Sequence, residues 1–203
     1  MADAFLVTQV FTWWLIYHAP QTLWFMFPDL PASLPVLTGS MAMLLGSACL
    51  SLLANQTLVT FKFDLPAVLA LGIGLIANWM LITFQRPLFA GSGQLNFAEW
   101  DLDSAYLYLF VMIGFGPVVE EILVRGGYFE VLRRSWGDKP ALKISTMLFV
   151  IPHLIWSPTH RHLFSVVSLT LSSLLYTFLY IIGGLVPAII VHAAMNFYIN
   201  LFS

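Results

Sequence analysis

Long apolar runs separated by short polar connections dominate the chain. A helix needs about 20 mostly apolar residues to cross a hydrocarbon core roughly 30 Å thick. Runs of that kind occupy 4–27, 34–54, 66–84, 104–131, 141–157, 163–182 and 186–203. They predict an all-α, polytopic transmembrane helix bundle of about seven helices, six to eight in all. The fourth run carries Gly114, Gly116 and Pro117 and is expected to kink or break there. The longest connection, 85–103, holds Pro87, Gly91, Gly93 and the acidic residues Glu99, Asp101 and Asp103. Lipid-facing β-strands would alternate apolar and polar positions, whereas these runs are apolar all round. No internal repeat divides the sequence, so 1–203 reads as a single integral membrane domain.

Composition agrees and closes off other classes. The 203 residues are 60% hydrophobic and 9% charged, against roughly 25% charged in an ordinary soluble domain. Mean hydropathy is +0.87, leaving too few polar side chains to clothe a soluble globule of this length. One cysteine, Cys49, excludes a disulfide framework. A net charge of −2 argues against electrostatic nucleic-acid binding. The first apolar run lacks a basic leader segment and reads as a retained helix rather than a cleaved signal. With seven spans, Lys62 shares a side with Arg133, Arg134, Lys139 and Lys143, while Arg86 and Arg161 lie opposite. The excess of basic residues places the N-terminus and the 133–143 connection in the cytoplasm. The expected setting is a bacterial or archaeal cytoplasmic membrane.

A charge at the bilayer centre costs about 2.5–3.5 kcal/mol on insertion scales. Most charges avoid that cost by sitting in connections, but Glu120, Glu121 and Arg125 lie inside the fourth run. His153 lies in the fifth run, and His192 and Asn196 in the last. Glu121 and Arg125 are spaced four apart and share a helix face, close enough to pair. Glu120 is turned about 100° from Glu121 and must face something else. At 1.5 Å per residue, Glu120 lies ~20 Å from Arg133, His153 ~15 Å from Lys143 and His192 ~12 Å from Gly184. All three helix ends are on the cytoplasmic side, so the polar groups can meet near mid-membrane. Three uses fit such a set: internal glue between helices, an ion or proton relay in a transporter, and catalysis. The absence of an inverted repeat weighs against the transporter. His18 reads as an interhelical hydrogen-bonding residue, and His160, Arg161 and His162 as a solvated loop.

Glu-Glu-x-x-x-Arg at 120–125, Phe-x-x-x-His at 149–153 and His-x-x-x-Asn at 192–196 follow one another on successive spans. In that order they resemble the motifs of the CAAX-prenyl-protease and bacteriocin-processing (CPBP, Abi) intramembrane endopeptidases. The resemblance covers 100–203, the motif-bearing half. Val124 stands where the family usually has an aromatic residue, and Pro152 directly precedes the histidine. The resemblance implies hydrolysis of a peptide bond in a membrane-associated peptide or protein: a CAAX-type tail, a pheromone, a bacteriocin or a C-terminal sorting tail. It implies Glu120 as general base with His153 as its partner, His192 and Asn196 as oxyanion donors, and Glu121 with Arg125 as support. Amide hydrolysis needs such groups independently of any family: a base for water and donors for the developing oxyanion. The alternatives are a helix-bundle transporter and a non-enzymatic immunity or partner protein.

No His-Glu-x-x-His occurs, no aspartate lies inside a span, and no Gly-x-Ser-Gly lies within a helix. These absences argue against three other membrane-protease chemistries. Glu120, His153 and His192 could supply the three protein ligands of an open zinc site. A zinc ion would, however, take Glu120 as a ligand and leave no unpaired carboxylate as base. Asn196 beside His192 suits an oxyanion better than a metal. The expectation is therefore a metal-free, glutamate-activated water.

Overall fold

The computed structural model describes residues 62, 64–89, 109–156 and 163–202. The runs expected at 4–27 and 34–54, Cys49, His18 and the 160–162 loop lie outside the described residues. Within them the chain is helical. Helix α1 is Leu65–Phe89. Helix α2 is continuous through Phe110–Phe115, Gly116–Glu121, Ile122–Phe129 and Glu130–Trp136. Helix α3 is Asp138–Trp156, α4 is Leu163–Gly183 and α5 is Leu185–Phe202. Segments Leu65–Phe84 and Val166–Gly183 are long and apolar enough to cross a membrane, and Leu185–Ile199 is a shorter apolar stretch.

The five helices correspond to the last five predicted runs, with instructive differences at their ends. Helix α2 extends past its apolar run to Trp136 because Glu130 pairs with Arg133 and Arg134, three and four residues on. Helix α3 begins at Asp138, an acidic residue in the first turn that suits the helix dipole. The expected break at Gly114–Pro117 is absent as a break. The chain widens into π turns over Phe110–Phe115, and Pro117 then sits in the first turn of the following α segment, where no N–H is needed. A second π stretch, Ile122–Phe129, follows immediately after the glutamates.

Sharp reversals join α2 to α3 and α4 to α5 at single glycines. Gly137 has φ +84° and Gly184 φ +80°, a backbone region that side-chain-bearing residues rarely adopt. Each caps the preceding helix: Gly137 N–H donates to the Arg133 carbonyl and Gly184 N–H to the Tyr180 carbonyl, both at 2.9 Å.

Small residues let α1 approach α4 and α5. Ala67 and Ala70 lie against Gly183, whereas Gly74 faces Leu179 and Val191. This order makes α1 antiparallel to α4 and parallel to α5. The outward face of α1 is apolar, with Ile73, Ile76, Trp79 and Met80 exposed. The core behind it gathers Val119, Leu123, Tyr128, Tyr176, Leu179 and Val191.

A methyl group on Gly183 would lie 2.7 Å from Pro187 Cγ and 3.0 Å from the Ala67 backbone. Gly183→Ala is therefore expected to destabilise the bundle by about 1–3 kcal/mol through overpacking. Thermal melting in detergent checks this; a variant melting with the wild type would show that the seam opens freely.

Candidate active site

The site grows from the first motif, where α2 passes from α to π geometry. The wider turn rotates each residue less than an α-helix does, so Arg125 stays on the face of Glu121, four residues earlier. Both side chains are fully buried. Arg125 Nη1 donates to Glu121 Oε1 at 3.0 Å. Its Nη2 reaches α4 and donates to the carbonyl and to the hydroxyl of Ser173, both at 3.0 Å. The guanidinium lies against two rings, 4.9 Å from the centre of Phe149 and 5.4 Å from that of Tyr176. A buried charge is tolerable only when it is paired and hydrogen-bonded, and these contacts provide both.

His192 of α5 completes the arrangement. Its Nδ1 lies 2.8 Å from Glu121 Oε1, the oxygen that also accepts from Arg125. An ionised carboxylate only accepts, so Nδ1 carries the proton and donates. The opposite ring nitrogen, Nε2, is 3.7 Å from Glu120 Oε2. Tyr176 stacks on the imidazole, centres 4.7 Å apart and planes 15° from parallel, which fixes the ring plane. His192 thus stands between the two adjacent glutamates. Glu121 is sealed in, while the Glu120 side chain retains 17% of its surface exposed and so keeps a route to water or substrate.

The second motif enters through Phe149. Its ring centre lies 4.8 Å from that of His153 and 5.9 Å from that of His192, and it also touches Arg125. His153 is half-buried, and its Nδ1 lies 2.7 Å from the Phe149 carbonyl. A carbonyl accepts only, so Nδ1–H donates and Nε2 is left as the basic nitrogen. Helix α3 runs on through Pro152 to Trp156. Asn196 is half-buried one turn beyond His192 on α5.

Glu120, Glu121, Arg125 and His192 are therefore assembled directly, and His153 joins them through Phe149. Among the described residues, no three His, Cys, Asp or Glu side chains form a group that could hold a metal ion.

Four further polar residues escaped the sequence reading. Ser173 and Tyr176 hold Arg125 and His192 from α4, a helix without a motif; Ser and Tyr are too common in apolar helices to stand out. Glu130 is 6% exposed and binds Arg133, Arg134 and the Tyr180 hydroxyl at the basic end of α2. Its position at the end of an apolar run hid it among connection charges. Asn78, an amide in the middle of α1, was visible: a polar residue inside a span is unusual by itself.

The apolar helices thus bury a carboxylate–guanidinium pair and set a histidine between two glutamates. Residues 102–198 match the family model Rce1-like, described as type II CAAX prenyl endopeptidase Rce1-like. That stretch, just under half of the chain, contains all three motifs. Neither curated proteins nor solved structures gave a match to the chain. The likeness to a CAAX prenyl endopeptidase model is confined to that stretch.

Proposed function

We propose that the protein is an intramembrane endopeptidase that hydrolyses a peptide bond with a water molecule activated by Glu120. The observation that carries this reading is His192 held between two carboxylates, 2.8 Å from Glu121 and 3.7 Å from Glu120. Structural glue needs one charge pair, and Glu121 with Arg125 already provides it. A second, partly exposed glutamate aimed at an oriented histidine is surplus to packing and suited to chemistry.

In the proposed reaction Glu120 takes a proton from water, assisted by the basic Nε2 of His153. The water oxygen attacks the carbonyl carbon, and the C=O π electrons move onto oxygen. His192 and the Asn196 amide donate to that oxyanion. Collapse of the intermediate breaks the C–N bond, and the leaving amine receives the proton from Glu120. Glu121 and Tyr176 fix the orientation of His192, and Arg125 with Ser173 fixes Glu121. The substrate is a peptide or protein tail lying in or on the bilayer, of CAAX type.

Liposomes containing the purified protein and a lipid-anchored CAAX-type peptide test this directly. Cleavage in isotopically labelled water should place one heavy oxygen in the new carboxylate. Failure to cleave any membrane-tethered peptide would sink the protease reading and return the site to structural glue or transport. Parallel peptides without the lipid, or with pheromone-like and sorting-tail sequences, resolve substrate class.

The proposed chemistry is metal-free. Active purified protein should carry zinc well below one equivalent and should keep its activity in chelator. Stoichiometric zinc, with activity lost to chelator and restored by zinc, would overturn this part of the mechanism.

A further inference from the structure

Asn78 lies in α1, outside all three motifs and outside the 102–198 match, yet it touches the site's last helix. It is 2% exposed. Its Nδ2 donates to the carbonyl of Val191, the residue immediately before His192, at 3.3 Å. One turn earlier, Gly74 meets the same Val191: a Cβ there would lie 2.8 Å from Val191 Cγ2. Two successive turns of α1 therefore grip α5 at one residue, one by close approach and one by hydrogen bond.

Stability alone does not account for the amide. Its Oδ1 is buried without a partner, and an unsatisfied buried acceptor costs about 1–3 kcal/mol. A leucine would serve helix packing at no such cost. The N–H donor is what an apolar side chain cannot supply, and it acts on the backbone that carries His192. The Val191 carbonyl has a second lone pair free for it beyond its own helical bond.

We propose that Asn78 is a positioning residue, fixing the height and rotation of α5 so that His192 meets both glutamates. This rests on the proposed catalytic role of His192. It also gives the N-terminal part of the chain a share in the site that the family motifs do not include.

The test uses the full chain in detergent or liposomes, with Asn78→Leu and a control, Phe129→Leu. Phe129 packs with Leu132 and Ala141 in a separate apolar cluster, so its truncation loosens the bundle elsewhere. Three quantities are read well below the melting point of every variant: kcat, KM and the imidazole NMR resonances of His192, assigned with His192→Gln. Asn78→Leu should lower kcat roughly tenfold to a hundredfold, as a small misplacement of a catalytic group does. KM should stay within about twofold, since substrate binding is not what the misplacement removes. The His192 resonances should move in Asn78→Leu and stay in place in Phe129→Leu. If Asn78→Leu does not fold, Asn78→Ala, which introduces no added bulk, carries the same comparison.

Unmoved His192 resonances in an active protein, or a kcat loss shared equally by Phe129→Leu, would overturn the proposal. The resonances are read without substrate. Shifted resonances in a protein whose wild type cleaves nothing would instead sink the catalytic reading and leave the positioning of His192 by Asn78 standing.

Discussion

Glu120→Gln is expected to fold and melt like the wild type while losing about 10²–10⁴-fold in kcat, the usual worth of a general base. The two halves of that expectation have separate causes. Glutamine keeps the size of the side chain and can still face His192, but it cannot accept a proton from water. Folding should be spared because the charge of Arg125 is already matched by Glu121, 3.0 Å away. Glu120 also sits at the partly open edge of the site, with 17% of its side chain exposed. Cleavage of a membrane-tethered reporter, measured beside thermal melting in the same detergent, gives both numbers. Full proteolysis by the variant would remove Glu120 from the role of base, and a collapse in melting temperature would make it a structural residue.

The helix framework was legible because lipid imposes a severe rule. Every backbone polar group in a bilayer must be satisfied within its own helix, so apolar run length translates into spans. The runs at 163–182 and 186–203 reappear within a residue or two as Leu163–Gly183 and Leu185–Phe202. The boundaries that drifted lie where polar or charged residues continue a helix beyond the apolar run: at Arg133, Arg134 and Lys139, and at the end of α1, which runs five residues past 84 through Arg86 and Pro87 to Phe89 instead of entering the 85–103 connection. The Glu121–Arg125 pair was legible for a related reason: spacing of four places two opposite charges on one face. Direction mattered more than spacing for Glu120. Its rotation away from Glu121 implied a different partner but could not name it, because that partner, His192, is 72 positions away in sequence by number and reaches it only through packing. The aromatic slot of Phe149 and Tyr176 is equally tertiary. Tyr176 reads as one apolar residue among many until α4 lies beside α2 and α5.

Glu121 has two tasks that substitution can separate. Its Oε1 accepts from Arg125 at 3.0 Å and from His192 at 2.8 Å. Glu121→Gln should strand the guanidinium among Phe149, Tyr176 and Ser173, and Arg125→Ala should strand the carboxylate. Breaking a buried pair from one side costs about 3–5 kcal/mol, so both variants should melt far below Glu120→Gln. Replacing both partners with groups of similar volume, as in Glu121→Gln with Arg125→Met, removes the uncompensated charge and should recover much of the lost stability. Activity should not return with it. The amide oxygen of a glutamine at 121 can still accept from His192 Nδ1–H, but without the carboxylate's charge it holds the ring more weakly. Arg125→Lys should fall between these cases: it keeps the charge but lacks the planar fork that binds Glu121 and Ser173 together. Melting curves and reporter cleavage for these five variants decide the matter. Equal melting of Glu120→Gln, Glu121→Gln and Arg125→Ala would refute the division between a base and its buried support. Recovery of cleavage in the double variant would show that Glu121 serves Arg125 alone.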